Sequence, residues 1–220
     1  QTERCRSDPY KPFGNSCKMT GHAGIKSFDE PVYNKREILR YAQSPGCTDK
    51  MLLDLMDGCI AECKKEASFS YRVSYCILPI ESLDTGSGMI DMGLIQVTSR
   101  DLAGNLEGFR EAVLFAATVG PGIDRLIRKY TKLDPAKALF MQAIGAERVE
   151  SLCNTFCSTF EKKLCPRFSP GFGDLALSIQ PEVLKITNAG KNLSITLDDG
   201  FLMSPSKSVT AFDGICQDRR

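Results

Sequence analysis

The spacing of hydrophobic and polar positions changes along the chain and predicts where helices and strands lie. Residues 1–30 show no apolar period and are rich in glycine, proline, serine and charge, which predicts an irregular N-terminal extension. Beyond it the pattern becomes helical: Asn34 can cap one helix, and Thr48 followed by Asp49 can cap a second with apolar positions at helical spacing. Further along, Asp134 followed by Pro135 is a good start for the longest helix. We therefore expect the folded domain to occupy residues 31–220.

The rest of the chain alternates between a period of two and a helical period. Residues 69–80 place Tyr71, Val73 and Tyr75 on one side, which predicts a strand with one buried face. The other predicted strands are residues 89–97, 111–119, 193–197 and 206–212, and the predicted helices are 35–43, 49–61, 98–108, 123–130, 134–163 and 175–187. This mixture, without an internal repeat, predicts a single α+β domain.

Charge and composition exclude several classes of function. The chain has 28 basic and 27 acidic residues, and because the two signs are interspersed it lacks the basic patch that binds nucleic acid or an anionic membrane. Apolar runs such as residues 112–119 are too short for a membrane span, and the residues after Gln1 show no secretory apolar segment. His22 is the only histidine, which leaves no material for histidine-based catalysis. We expect a cytoplasmic protein without a catalytic residue of its own.

Ten cysteines permit a further interpretation. Cys59 with Cys63, and Cys153 with Cys157 and Cys165, could hold zinc or an iron–sulfur cluster, which leaves a thiol-based redox or metal protein as an alternative. The spacing differs from the usual metal knuckle, and cysteines four positions apart on an apolar helix face are usually core residues. We therefore predict reduced thiols and no metal site.

The sequence RFSPGFGD, residues 167–174, has the composition of a ligand-binding turn. Arg167 offers a planar fork of donors that suits a carboxylate, and Gly171 lets the backbone approach a ligand closely. Phe172 offers a flat face to an adenine ring or a sulfonium. Glu150 lies on the helix face that carries Cys153, where its carboxylate could face a positive charge of a ligand.

Several segments together resemble the activation domain of vitamin B12-dependent methionine synthase, in its stand-alone form. They are residues 34–41 (NKREILRY), 112–120 (AVLFAATVG), 143–150 (AIGAERVE), 167–174 and 201–210 (FLMSPSKSVT). The resemblance implies a mainly antiparallel twisted sheet flanked by helices. It also implies an extended groove that binds S-adenosylmethionine and presents its methyl group to cobalamin.

The resemblance also implies roles for individual residues. Arg167 matches the arginine of the family's Arg-x-x-x-Gly-aromatic motif and would hold the methionine carboxylate, and Glu150 matches a helix glutamate that would balance the sulfonium. The implied S-adenosylmethionine-binding residues are Glu150, Arg167, Ser169, Gly171, Phe172, Met203 and Pro205.

The implied function is that of an accessory subunit that supports reductive methylation of cob(II)alamin, and so reactivates a cobalamin-dependent methionine synthase. The implied partners are a cobalamin-binding methionine synthase subunit, which supplies the cobalamin, and a low-potential electron donor such as flavodoxin or ferredoxin. The alternative within the same fold is a corrinoid-protein docking module without S-adenosylmethionine chemistry.

Overall fold

A computed structural model describes residues 23–216 of the chain. In chain order its elements are β1 (Gly24–Ser27), α1 (Lys35–Tyr41), α2 (Lys50–Glu66), β2 (Arg72–Pro79), β3 (Ser82–Asp84), β4 (Met89–Asp91), β5 (Gln96–Thr98), α3 (Arg100–Asn105), β6 (Glu111–Thr118), α4 (Gly122–Leu133), α5 (Pro135–Cys157), α6 (Gln180–Ile186), α7 (Ala189–Leu193), β7 (Thr196–Leu197), β8 (Met203–Ser204) and β9 (Ser208–Gly214). None of the helices in this part of the chain is long and apolar enough to cross a membrane.

The central sheet has four strands in the order β1-β2-β6-β9, and every neighbouring pair is antiparallel. Between β6 and β9 the register runs from Thr118 opposite Ser208 to Ala112 opposite Gly214. Helices and short strands cover the sheet. The predicted α+β class, with a mainly antiparallel sheet flanked by helices, is confirmed.

Both faces of the sheet are buried. Val113 and Phe115 of β6 pack into a cluster with residues of α1, α2, α4 and α5, whereas Ala112 and Leu114 pack on the opposite face with α3, α6 and β4. Burial of apolar side chains on two faces is the main source of stability in such a fold. The prediction that residues 69–80 have one buried face is therefore wrong, since Ser74, Cys76 and Leu78 of β2 are buried as well.

Helix starts follow the local signals in the sequence. The side chain of Asn34 accepts a hydrogen bond from the backbone N–H of Glu37 at 3.2 Å, and Asp134 accepts one from Lys137 at 3.1 Å. Asp49 caps α2 in the same way. These bonds satisfy N–H groups that a helix start leaves unpaired, and they confirm the predicted caps.

The predicted irregular extension contains a strand. Residues Gly24–Ser27 form β1, which pairs with β2 at the edge of the sheet. Four residues with Ile25 as their one large apolar side chain are too short to show a period of two, and the partner strand supplies their hydrogen bonds. Residues 1–22, which include the lone histidine, lie outside the described part of the chain.

Helix α5 is shorter than predicted. It ends at Cys157 rather than at residue 163, and side-chain hydroxyls near its end bond to backbone carbonyls of the last turns, which weakens a helix there. The Thr155 hydroxyl donates to the carbonyl of Ser151 at 2.9 Å, and the Thr159 hydroxyl donates to that of Phe156 at 2.8 Å. The chain then turns away from the helix axis toward the edge of the sheet.

Other boundaries differ where turns interrupt apolar runs. The predicted strand 89–97 is split into β4 and β5 at Gly93, which has a φ of 74° and donates its N–H to Asp91 Oδ1. The predicted helix 175–187 begins with a 3-10 turn, Leu177–Ile179, before α6. The predicted strand 193–197 shrinks to β7, because α7 extends through Leu193.

A segment after α5 runs along the outer edge of β9. The N–H of Phe168 donates to the carbonyl of Phe212 at 3.0 Å, and the N–H of Phe212 donates back at 2.8 Å. The N–H of Cys165 donates to Gly214 O at 2.9 Å. These bonds fix Arg167 between the edge of the sheet and α5.

Candidate ligand-binding groove

A groove of about 730 Å³ lies between the end of α5, the segment that follows it and β9. Its volume falls in the range typical of small-molecule sites. It is lined by Glu150, Cys157, Ser158, residues 160–167, Ser169, Phe172, Val209 and Asp213. Four of the predicted binding residues, Glu150, Arg167, Ser169 and Phe172, therefore meet at one cavity.

Arg167 and Glu150 form an ion pair at this groove. Arg167 Nη2 lies 2.6 Å from Glu150 Oε2, and Arg167 Nη1 lies 2.8 Å from Asn154 Oδ1. The guanidinium thus rests on two successive turns of α5. Because the arginine side chain carries five N–H donors, these two contacts leave others for a ligand carboxylate.

The turn that carries Phe172 is anchored to the N-terminus of α3. The Asp174 carboxylate accepts hydrogen bonds from the Ser99 hydroxyl, from Arg100 N at 2.8 Å and from Asp101 N at 3.3 Å. The bond from Ser99, followed by those from the backbone, holds the pKa of Asp174 below its usual value. A helix start and a binding turn are thereby locked together.

Glycine is required in this turn for conformation and for space. Gly171 and Gly173 have φ values of 90° and 50°, and a Cβ on Gly173 would lie 2.1 Å from Asp101 Oδ2. The resulting bend exposes 55% of Phe172. The ring of Phe172 contacts that of Phe168 edge to face, with centroids 6.2 Å apart, so one side of the Phe172 ring stays available to a ligand.

Met203 and Pro205 lie apart from the groove. Met203 packs against a separate apolar cluster that includes Leu184 and Ile195. Pro205 is buried, and its carbonyl accepts a hydrogen bond from the Ser208 hydroxyl at 2.8 Å. Neither is among the residues that line the cavity, and their role in binding stays a prediction.

Asp213 is a groove residue that the sequence analysis missed. Every second residue of β9, namely Val209, Ala211 and Asp213, lies on the face of the strand toward α5. The Asp213 carboxylate therefore occupies a position where this face otherwise carries an apolar side chain. Asp213 is 1% exposed, and burial raises its pKa to about 6. The alternation is visible in the sequence, but the predicted strand stopped at residue 212.

Burial favours the protonated form of the thiols near the groove. Burial raises the pKa of Cys157 to about 12 and that of Cys165 to about 11, and it also raises the pKa of Cys153. Thiolates, not thiols, bind metals and attack disulfides. Within residues 23–216 no group of three or more histidine, cysteine, aspartate or glutamate side chains is arranged to hold a metal ion.

The chain has an α+β fold of the kind found in the MetH reactivation domain. Among solved structures, the chain is similar to the crystal structure of the MetH reactivation domain bound to AdoHcy (S-adenosylhomocysteine), with a TM-score of 0.65 over 90% of this chain and 80% of that chain. The sequences are 12% identical, so the likeness concerns the fold. No protein-family model and no curated protein sequence matches the chain.

Proposed function

We propose that this chain binds S-adenosylmethionine in the groove and supports reductive methylation of cob(II)alamin on a separate methionine synthase subunit. One observation carries the proposal: a chain with the reactivation-domain fold places Arg167 and Glu150 together at a cavity of ligand size. The matched domain is bound to AdoHcy, which is S-adenosylmethionine without its methyl group.

The side chains at the groove suit the parts of this ligand. Arg167 has donors left for the carboxylate, and Phe172 has an exposed ring on which adenine can stack. Glu150 keeps 38% of its side chain exposed, so its carboxylate can face a sulfonium while it still contacts Arg167. The cavity therefore offers complementary chemistry for an anion, a cation and an aromatic ring.

The contribution of the chain is binding and orientation. S-adenosylmethionine supplies the methyl group when bound, and the proposed partner supplies the cobalamin and receives an electron from a donor such as flavodoxin or ferredoxin. Arg167 and Glu150 would fix the two ends of the methionine part, and Phe172 would fix the adenine. Such positioning lowers the entropic cost of a reaction between two bound groups and needs no acid or base from this chain.

Calorimetric titration of the full chain with S-adenosylmethionine and S-adenosylhomocysteine tests the proposal. We expect saturable one-to-one binding of both ligands, and reactivation of an oxidised cobalamin-dependent methionine synthase that requires the chain, S-adenosylmethionine and a reductant. Absence of binding would contradict the proposal. Association with a corrinoid protein in that case would favour the docking module without S-adenosylmethionine chemistry.

A further inference from the structure

Asp213 can accept more hydrogen bonds than the other groups within residues 23–216 donate to it. Its Oδ2 accepts a hydrogen bond from Cys157 Sγ at 3.3 Å, and its Oδ1 is buried without any hydrogen-bond partner. Oδ1 is the one buried side-chain nitrogen or oxygen within residues 23–216 in this situation. A thiol is a weak donor, so both oxygens of this carboxylate are poorly satisfied.

An unsatisfied buried carboxylate is costly, and such a group marks a place where a further donor, such as a water molecule, an ion or a ligand, can be accommodated. Asp213 and half-buried Cys157 both line the groove, and the Cys157 thiol donates to the Asp213 carboxylate. Rotation of that small thiol about one side-chain bond would uncover Oδ2. The donor that best compensates a buried carboxylate is a cation with several N–H groups.

Cys157 also links Asp213 to the proposed carboxylate-binding residue. Its sulfur lies 3.3 Å from Asp213 Oδ2 and 4.0 Å from Arg167 Nη1. The Arg167 guanidinium and the Asp213 carboxylate thus both contact one sulfur atom of the groove lining. Hydrogen bonds from the ammonium and to the carboxylate of a single α-amino acid can span that separation.

We propose that Asp213 binds the α-ammonium group of the ligand while Arg167 binds its α-carboxylate, so that this end of the groove selects a zwitterionic α-amino acid. The identity of the ligand as S-adenosylmethionine rests on the proposed function above, whereas the pairing of Asp213 with an ammonium rests on the groove itself. Cys157 acts as a removable cover over the acid.

The test compares ligands that differ only in the α-amino group. S-adenosylhomocysteine and its analogue with hydrogen in place of that group are titrated into the parent chain, Asp213→Asn and the control Glu182→Gln, an exposed acid that does not line the groove. We expect Asp213→Asn to weaken S-adenosylhomocysteine binding by about tenfold or more and to leave binding of the deaminated analogue unchanged. Glu182→Gln should alter neither affinity. Equal losses for both ligands would overturn the proposal, because they would indicate a role in structure alone.

A second measurement follows the carbon NMR signal of the Asp213 carboxyl in the full chain. The signal is assigned by its absence in the Asp213→Asn variant, and L-methionine is titrated as an additional ligand. A shift with L-methionine but no binding of the adenosyl ligands would support the role of Asp213 and contradict the proposed function. Binding of S-adenosylhomocysteine without a shift would support the proposed function and overturn the role of Asp213. Failure of both probes would overturn both.

Discussion

Arg167 Nη2 and Glu150 Oε2 lie 2.6 Å apart and join the segment after α5 to the helix itself. The contact involves the two residues that the family resemblance matched to the methionine carboxylate and to the sulfonium of the ligand. It orients the guanidinium in advance, because the arginine already rests on Glu150 and Asn154. Such preorganisation reduces the conformational entropy that the arginine side chain loses when a ligand binds.

Removal of either charge should weaken ligand binding in different ways. We expect Arg167→Ala to lower the affinity for S-adenosylmethionine and S-adenosylhomocysteine by more than about tenfold. Glu150→Gln should lower affinity for S-adenosylmethionine by a similar factor and that for S-adenosylhomocysteine less, because only the former carries a sulfonium. Calorimetry measures both. Unchanged affinities in both variants would place the site elsewhere.

The exposed ring of Phe172 should contribute to binding but not to stability. Phe172→Ala is expected to weaken S-adenosylhomocysteine binding by about tenfold, the usual value of a lost base-stacking contact, while the thermal midpoint stays close to that of the parent. Phe172→Tyr keeps the ring and should retain affinity. Leu202→Ala is a matched control, since Leu202 is also an exposed apolar residue but does not line the groove. A similar loss in the control would argue against stacking.

Asp213 should make the stability of the parent chain fall as the pH rises. The folded-state pKa of Asp213, about 6, lies above the pKa of an aspartate in the unfolded chain. The contribution of Asp213 to folding stability is therefore fully present below about pH 4 and is lost as the pH rises through 6. We expect Asp213→Asn to gain about 3 kcal/mol relative to the parent across this window. Urea denaturation at several pH values measures the difference.

A matched substitution at Asp174 should behave in the opposite sense. Hydrogen bonds lower the pKa of Asp174, so its contribution is present at neutral pH and is lost on acidification. Asp174→Asn should therefore be destabilised relative to the parent at neutral pH, with a difference that shrinks as the pH falls. If the difference in unfolding free energy between Asp213→Asn and the parent does not change over the same pH range, the pKa of Asp213 is not raised in the folded state.

A second ion pair on α5 is structural. The fully buried guanidinium of Arg148 binds Glu147 and donates to the carbonyls of Pro31 and Val32. We expect Glu147→Ala to lower the free energy of unfolding by about 3–5 kcal/mol, because it leaves a buried charge unpaired. Glu150→Gln, at a partly exposed pair one turn away, should cost less than about 1 kcal/mol. Equal midpoints in urea would contradict this assignment.

Local signals were sufficient to predict the helix starts and the fold class. The caps Asn34 and Asp134 each bond to the backbone of a residue three positions later. The hydrophobic patterns of strands and helices likewise depend only on residues that are close in the sequence. The errors occur where a distant partner decides the structure. Strand β1 exists because β2 pairs with it, and the segment after α5 leaves the helix axis where it pairs with β9.

The same distinction applies to the groove. Arg167 and Phe172 belong to one short motif and were predicted from it, together with Glu150 on the preceding helix. Asp213 reaches the groove only because the register of β9 places it against Cys157, which is 56 positions earlier in the chain. The spacing of residues within either segment could not predict that contact.

The wall of the groove is held to the sheet by isolated bridges at Leu164 and Phe168 rather than by a continuous ladder. Such a segment can detach by local unfolding while the central strands stay paired. A ligand that binds both Arg167 and α5 would hold the segment closed. Amide hydrogen exchange at Cys165 and Phe168 should then slow on ligand binding, while that of β2 and β6 stays unchanged, which makes these amides reporters of occupancy.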